Sequence, residues 1–354
     1  MTEKIKLQVV CITYNQAKFI KDALDGFVMQ KTNFPFEVLV GDDCSTDGTS
    51  DIIAEYAKKY PNIIKHIRHE HNMGGQKNSI DIMKRVTAPY MALCEGDDYW
   101  TDPNKLQMQV DILENNKHLN GCFHRAEIRK EPNVKYWYSD SELKPDKQGR
   151  IFWPNYNFHP KNNLCNIKDI IEGCIATASV VYRYDKNFQY PEWFEDVFIA
   201  GDRAMHSFMI KSGYFYYIDR PMSIYRMAKG SNSSDNGNLS NIAQTTQQWL
   251  DLFDKIDKYF DYTYKHIIED EKHLYVNAAF KNVILNKHKT ALIDLINNYP
   301  DYAFSNLHYN EKVKEKRKKI YKILGIPVWK IVSRGDKDYH YLFGLIKVIE
   351  AESY

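Results

Sequence analysis

The chain has 354 residues, of which 44% are hydrophobic and 27% are charged, and its formal net charge is +2. These values are typical of an ordinary globular protein, and the nearly balanced charge gives no reason to expect nucleic acid as a partner. The length suits one large domain with an appendage, or two domains. Aromatic residues make up 14% of the chain, which suits surfaces that stack on sugar rings or bases and equally suits tyrosine-rich cores.

The six cysteines are scattered and lack the C-x-x-C spacing of metal and redox sites. We therefore expect reduced thiols in a cytoplasmic protein. No stretch reaches the roughly 18 consecutive apolar residues that a membrane span requires. The apolar patch at 341–346 is far too short. Any membrane contact is therefore expected to be peripheral.

The first part of the chain alternates apolar runs with segments of helical spacing. The run at 7–12 is continuous and rich in β-branched residues, as in a strand that is buried on both faces of a parallel sheet. The predicted units are strand 7–12 with helix 17–29, strand 36–40 with helix 50–59, and strand 63–67 with helix 77–85. Three such units predict a parallel sheet with crossover helices.

Polar segments follow the second and third of these strands. Asp42 and Asp43 come directly after the second strand, and helix capping explains the Ser45–Asp47 stretch behind them. Gly74–Gly75 precede a helix and would let backbone amides approach a phosphate, with Lys77 adding positive charge. The spacing matches no phosphate-loop motif, so this signal is weak by itself.

The apolar run Tyr90–Leu93 is followed almost at once by three acids, Glu95, Asp97 and Asp98. A buried strand that ends in this way places clustered negative charge where open α/β sheets bind ligands. Repulsion between the carboxylates either raises a pKa or calls for a cation, and hard oxygen ligands favour Mg²⁺ or Mn²⁺ over zinc. The alternative is a solvated acidic turn.

The next elements are predicted from weaker patterns. We expect a helix at 106–114, long loops with short strands at 130–165, a strand at 175–182, a helix from Asp202 to about 212, and a strand at 214–218. The loops at 130–165 are of the kind that forms part of a binding face. Asp202 at the start of its helix could be a simple N-cap, and Arg203 and His206 are predicted to lie on the helix surface.

The composition changes at about residue 238. Trp249, Leu252 and Phe253 begin a series of apolar residues at helical spacing, which predicts a helical appendage over 238–354. Residues 312–319 include six basic side chains, typical of a solvated helix face. Because apolar patches follow up to residue 346, the segment 312–346 is alternatively an amphipathic segment that contacts a membrane with anionic lipid.

Four of these segments occur in order at the ends of successive strands: 9–15, 37–49, 72–74 and 95–98. Together they resemble the family 2 inverting glycosyltransferases, and the likeness covers roughly residues 5–235. It implies a GT-A, Rossmann-like α/β fold with a mixed, mostly parallel sheet flanked by helices. The implied GT-A domain is 1–237, with a nucleotide-binding half at about 5–115 and an acceptor half at about 116–237, before the helical region 238–354.

The resemblance also implies a donor site. In this family the first loop and the acid at the second strand end hold the base and ribose of a sugar nucleotide, usually UDP. Here that points to Thr13, Tyr14 and Asn15 in the first loop and to Asp42 or Asp43. The donor also lies near the next loop, which points to Asn72, Gly74 and Lys77.

The family's acidic motif binds Mn²⁺ or Mg²⁺ and the diphosphate. Here its first acid is Glu95 in place of aspartate, so Asp97 and Asp98 are the preferred metal-side residues. A later acid pair supplies the catalytic base, which points to Asp202, although glycine at 201 replaces the first acid of the pair. Arg226 belongs to a block whose basic residue approaches the diphosphate.

The expected reaction is metal-assisted transfer of a sugar, with inversion, from a UDP-sugar to a hydroxyl of a glycan or a lipid-linked acceptor at the cytoplasmic face of a membrane. Two alternatives stay open. A sugar-phosphate nucleotidyltransferase would have a glycine-rich basic loop after the first strand, and residues 13–16 are not one. A binding protein without turnover is favoured only by the departures at Glu95 and Gly201.

Overall fold

The computed structural model describes residues 4–131, 145–154, 158–173, 175–211, 213–228, 241–286 and 288–300, and the backbone of four strands between 318 and 352. The chain divides into two compact units. The first comprises residues 1–237 and 248–271, and the second comprises 238–247 and 272–354.

The first unit contains a mixed sheet and its crossover helices. Its elements are β1 Leu7–Thr13, α1 Ile20–Val28, β2 Phe36–Asp42, α2 Thr49–Lys59, β3 Ile64–Arg68, α3 Gly75–Lys84, β4 Tyr90–Leu93, β5 Tyr99–Trp100, α4 Lys105–Asn115, β6 Leu119–Lys130, β7 Ile151–Trp153, β8 Leu164–Cys165, α5 Ile167–Ile171, β9 Val181–Arg183, α6 Gly201–Ile210 and β10 Tyr214–Met227. Short 3₁₀ turns lie at Lys161–Asn163, Thr177–Ser179 and Glu192–Asp196.

The strand order is β3-β2-β1-β4-β9-β6-β10-β5, with β7 beside β6 and β8 beside β10. The first four strands are parallel, as the three strand–helix units predict. Strand β9 runs antiparallel to both β4 and β6, whereas β6 and β10 are parallel over most of their length. The observed sheet therefore confirms the predicted fold class, a mixed and mostly parallel sheet flanked by helices.

The core of this unit lies between the sheet and helices α1, α2 and α4. Alternate residues of β1, namely Leu7, Val9 and Cys11, belong to a buried cluster that also contains Leu24 and Leu106 from the helices. Val10, between them in the strand, is buried too. Strand β1 is thus covered on both faces, which is why its sequence is a continuous apolar run rather than an alternating one.

Two of the predicted elements differ from the observed ones. The strand predicted at 175–182 is present only from Val181, because Thr177–Ser179 forms a 3₁₀ turn in which Ser179 Oγ donates to Ala176 O at 2.6 Å. Such local side-chain bonds compete with strand pairing. The strand predicted at 214–218 continues to Met227, because β6 offers a parallel partner along that whole length.

Helices follow the first sheet: α7 Ile242–Tyr259, α8 Lys265–Leu285 and α9 Lys289–Asn298. They correspond to the predicted C-terminal helices. The end of the chain differs, because β11 Lys318–Ile323, β12 Ile326–Arg334, β13 Lys337–Leu342 and β14 Ile346–Glu352 form an antiparallel sheet in that order. These segments are rich in β-branched and aromatic residues, which favour strands over helices.

The predicted membrane-contacting segment therefore includes strands from residue 318 onward, while 312–317 lies outside the described residues. Within the described part of the chain, no helix has the length and apolar character to cross a membrane. Peripheral contact through 312–346 stays a prediction.

Helix α1 approaches β5 at a glycine, and this contact offers a test of the core. A Cβ added at Gly26 would lie 2.9 Å from Trp100 N and 3.0 Å from Trp100 O. These backbone atoms cannot yield readily, because the Trp100 ring packs edge-on against Phe27 and its Nε1 donates to Ala178 O at 2.8 Å. Gly26→Ala should therefore lower the free energy of unfolding by about 1–3 kcal/mol, despite the better helix propensity of alanine.

Urea denaturation measures this change. Gly75→Ala is the matched control, because a Cβ there would meet nothing within 4 Å. An equal effect of the two substitutions would show that the contact with Trp100 does not constrain Gly26.

Candidate functional site

The carboxyl ends of β1, β2 and β4 meet at one edge of the sheet. Thr13 and Asp42 are register partners at the ends of β1 and β2. The segment after β4 continues beside β1, since the backbone amide of Gly96 donates to Ile12 O at 2.9 Å. The polar segments that the sequence places after separate strands are therefore neighbours.

Hydrogen bonds join the loop after β1 to the loop after β2. Asn15 N donates to Ser45 Oγ at 2.9 Å, and Thr46 N donates to Asn15 Oδ1 at 2.8 Å. Gln16 N donates to Thr49 Oγ1 at 2.8 Å. Asn15 has a φ of 50°, a left-handed conformation that asparagine tolerates better than most residues. Asn15 therefore shapes the predicted donor loop.

Tyr14 and Thr13 differ in exposure. Tyr14 is 46% exposed, so its ring is accessible for stacking. Thr13 is buried, and its Oγ1 donates to Gln16 Oε1 at 2.7 Å. Of these two predicted donor residues, Tyr14 is thus the one that presents its side chain to solvent.

Asp42 and Asp43 are both buried but have different partners. Asp42 Oδ2 lies 3.5 Å from His66 Nε2 and 3.6 Å from Arg68 Nε, and Oδ1 accepts from Ser45 N at 3.0 Å. Burial alone would raise the pKa of Asp42, but its close contacts with His66 and Ser45 outweigh burial and hold the pKa well below its usual range. Asp42 is therefore an ionised carboxylate.

Asp43 binds the third loop, the segment between β3 and α3. Its Oδ1 accepts from Met73 N at 2.8 Å, and its Oδ2 accepts from Gly74 N at 2.9 Å. Asn72 Oδ1 accepts from the same Gly74 amide at 3.0 Å. Asp43 and Asn72, both predicted to contact the donor, thus have a structural role in positioning the start of α3.

Helix α3 begins after Gly74, whose φ of 89° favours glycine. No side chain caps this N-terminus, and its first turn carries no acid. Its free amides and the exposed Lys77 place partial and full positive charge at this end of the helix. The arrangement suits an anionic group such as a diphosphate.

Arg226 holds the acidic loop after β4. Its backbone amide donates to Asp98 Oδ1 at 2.8 Å, and its Nη1 donates to Asp97 O at 2.8 Å. Its Nη2 forms an ion pair with Asp22 Oδ2 at 2.7 Å, and its guanidinium lies over the rings of Phe19 and Tyr99. Arg226 is therefore adjacent to the predicted metal-side residues, but its guanidinium already has protein partners.

Crowding perturbs the carboxyl groups of this loop. Burial and the carboxylates of Asp97 and Asp202 raise the pKa of Glu95 to about 8. Burial also raises the pKa of Asp97, and burial with the charges of Asp97 and Glu95 raises the pKa of Asp98 well above its usual range. The loop therefore holds fewer than three full negative charges when no cation neutralises it.

A divalent cation fits this loop chemically. Asp98 Oδ2 is buried without a hydrogen-bond partner, and a nearby cation would relieve the repulsion that raises the three pKa values. Within the described residues, no group of three or more His, Cys, Asp or Glu side chains has a metal-binding arrangement. Mg²⁺, however, usually takes one or two carboxylates, with water and substrate phosphates as its other ligands.

Asp202 lies in the first turn of α6. The N-cap position is occupied by Ala200, whose φ is 48°, so the alternative of a simple N-cap does not describe Asp202. Its Oδ2 accepts from Thr177 Oγ1 at 3.2 Å, and its Oδ1 accepts from Arg203 N at 2.8 Å. These two bonds orient the carboxylate.

Arg203 and His206, which follow Asp202 on α6, are buried, contrary to the prediction that they lie on the helix surface. Arg203 Nη1 donates to Ile171 O at 3.0 Å, and the guanidinium lies 4.9 Å from the Trp249 ring centre. The sequence pattern could not reveal this, because α5 and α7 cover that face of α6.

A cavity of about 540 Å³ brings several of these residues together. Four predicted site residues line it: Gly74, Lys77, Glu95 and Asp202. The other predicted residues are outside this lining: Thr13, Tyr14, Asn15, Asp42, Asp43, Asn72, Asp97, Asp98 and Arg226. Sequence reasoning missed further lining residues, among them Gln76, Trp153, Thr177, Phe198, Tyr225 and Trp249. Of these, only Tyr225 could have been found from the sequence, because it precedes Arg226, which was predicted to approach the diphosphate.

The Arg226 contacts predict how the acidic loop is stabilised. Arg226→Ala removes the ion pair with Asp22 and the bond to Asp97 O, and it leaves the carboxyl cluster without its nearest cation. We expect the free energy of unfolding to fall by about 2–4 kcal/mol in urea denaturation. The control is Arg85→Ala, whose ion pair with Asp81 is exposed and should contribute less than about 0.5 kcal/mol. Similar losses would contradict this role of Arg226.

Comparison with known proteins agrees with this geometry. Residues 8–183 match the family described as Glycosyl transferase family 2. An uncharacterized protein of Mycobacterium tuberculosis is 39% identical over 182 residues, which are 51% of this chain and 48% of that protein. The chain thus spans about half the length of the curated relatives it matches.

Two solved structures share the fold at 16% identity. S. aureus TarS 1-349 in complex with UDP-GlcNAc aligns over 95% of this chain and 99% of that one, with a TM-score of 0.50. The mannosyltransferase PcManGT from Pyrobaculum calidifontis, in complex with GDP-Man and Mn²⁺, aligns over 88% of this chain and 89% of that one, with a TM-score of 0.51. Because the family match agrees with the order of the sheet, residues 8–183 belong to glycosyl transferase family 2.

Proposed function

We propose that the chain transfers a sugar, with inversion, from a nucleotide-sugar donor to a hydroxyl of an acceptor, with Asp202 as the general base. The observation that carries this proposal is the shared cavity. Asp202 enters it from α6, Glu95 enters it from the end of β4, and the uncapped N-terminus of α3 with Lys77 forms part of its wall. One cavity thus offers a base and positive charge for a diphosphate.

The donor we propose is a nucleoside diphosphate sugar, and a UDP-sugar is the form to test first. TarS binds UDP-GlcNAc and PcManGT binds GDP-Man. In this chain the exposed ring of Tyr14 suits stacking on a base, and the ionised Asp42 lies at the same sheet edge. Lys77 and the free amides of α3 suit the diphosphate.

Asp97 and Asp98 would hold a divalent ion, Mn²⁺ or Mg²⁺, at the acidic loop. When bound, the ion supplies positive charge that stabilises the departing nucleoside diphosphate. Arg226 contributes by keeping this loop in place through its bonds to Asp97 O and Asp98 Oδ1.

Asp202 would take the proton of the acceptor hydroxyl while the hydroxyl oxygen forms a bond to the anomeric carbon of the sugar. At the same time the bond between that carbon and the diphosphate oxygen would break. A single displacement inverts the configuration of that carbon. An ordinary aspartate is a weak base for an alcohol, so it acts mainly through position. Thr177 Oγ1 and the Arg203 amide hold the carboxylate in that position.

For the acceptor we propose a glycan or a lipid-linked saccharide. Aromatic side chains from separate elements line the cavity, including Trp153, Tyr225 and Phe198. Phe198 is 80% exposed, which suits stacking on a sugar ring that is still bound to a larger acceptor. A lipid-linked acceptor accords with peripheral contact of 312–346 with the inner face of a cytoplasmic membrane.

Asp202→Asn tests the base. We expect turnover to fall by roughly 10² to 10⁴, with donor affinity nearly unchanged, because the amide keeps the shape but cannot take a proton. Release of nucleoside diphosphate from UDP-sugars in the presence of Mn²⁺ measures turnover. Asp196→Asn, an exposed change near α6, is the matched control. Unchanged turnover in Asp202→Asn would refute the assignment of Asp202 as the base. If the native protein releases no nucleoside diphosphate, the alternative of a binding protein without turnover is favoured.

Thermal unfolding tests the metal. UDP with Mn²⁺ should raise the melting temperature more than UDP with a chelator, because a ligand that binds only the folded protein stabilises it. In Asp97→Asn the added effect of Mn²⁺ should disappear, whereas Asp111→Asn, an exposed change on α4, should retain it. A full Mn²⁺ effect in Asp97→Asn would remove that residue from the metal site.

A further inference from the structure

Gly201 lies where the first turns of α3 and α6 meet at the cavity wall. A Cβ added to Gly201 would lie 2.2 Å from Gln76 Oε1 and 3.1 Å from Gln76 Cδ. Its φ is not in the left-handed range, so the backbone conformation does not require glycine. A side chain at 201 would have to displace the amide of Gln76, which occupies that volume.

The orientation of the Gln76 amide follows from its other contact. Nε2 donates to Phe194 O at 2.8 Å, within the 3₁₀ turn Glu192–Asp196, and the Phe194 side chain is buried. This bond fixes which end of the amide is the acceptor. Within the described residues, no group donates to Oε1. Gln76 thus presents an oxygen with free acceptor capacity beside the residue that precedes Asp202.

Charge explains why a neutral oxygen suits this place. Glu95 and Asp202 line the same cavity, so two carboxyl groups already face it. An acid at 201, the residue type that the family resemblance leads one to expect, would add a further negative charge next to both. A glutamine carbonyl accepts a hydrogen bond as a carboxylate does, without that repulsion.

We infer that Gln76 is an acceptor-binding residue, whose Oε1 accepts a hydrogen bond from a hydroxyl of the incoming nucleophile next to Asp202. The inference rests on the proposed function, because it assumes that Asp202 faces the acceptor. Gln76 and Asp202 then hold the nucleophile from two helices, while the donor contacts lie on other residues.

The kinetic test uses UDP-GlcNAc with Mn²⁺ as the donor probe and water as the nucleophile, with release of UDP as the readout. Gln76→Leu removes the amide at nearly constant size. We expect its kcat to fall by about tenfold, the effect of one lost hydrogen bond, while the donor KM changes less than about twofold. Gln189→Leu, an exposed site outside the cavity lining, is the matched control.

A steric test needs no activity. Gly201→Ala should lower the melting temperature in the native protein but not in Gln76→Ala, where the space is free. Equal losses in both backgrounds would overturn the placement of Gln76. Native turnover in Gln76→Leu would overturn the acceptor role and leave the proposed function intact. No release of nucleoside diphosphate by the native protein from UDP-sugars or GDP-sugars, with the steric coupling intact, would refute both roles and leave Gln76 as a packing residue.

Discussion

Repulsion among Glu95, Asp97, Asp98 and Asp202 is the interaction on which the surrounding site depends. The first three follow β4 at one edge of the sheet, and Asp202 on α6 lines the same cavity as Glu95. Burial and charge raise the pKa values of the first three. Most of the nearby positive charge is arranged around this edge: Arg226 binds the acidic loop, while the N-terminus of α3 and Lys77 face the cavity. A bound cation would lower this repulsion.

The loops that frame this edge are held by side chains that look like ligands in the sequence. Asp43 binds two backbone amides of the third loop, and Asn15 accepts from the amide of Thr46. Such bonds keep polar segments ordered at strand ends, where backbone groups lack strand partners. A motif residue at this edge can therefore serve the loop conformation rather than the substrate, and the exposed Tyr14 and Lys77 are freer to contact a donor.

The region around Asp202 depends more on packing between distant elements. Arg203 is buried against Trp249 and donates to Ile171 O, which joins α6 to α5 and α7. Asp202 precedes Arg203 and accepts from its amide, so this packing also sets the direction of the proposed base. The same region contains the close approach of Gln76 to Gly201. Its geometry is therefore a property of several helices together.

The sequence by itself determined the strand–helix units of the first 93 residues, because continuous apolar runs and helical spacing are local patterns that report burial directly. It also determined the order of the polar loops at the strand ends. Only the tertiary structure decided that Arg226 pairs with Asp22 and that Glu95 and Asp202 share a cavity. These features arise from contacts between residues far apart in the chain, and no local periodicity encodes the distance between two side chains on different elements.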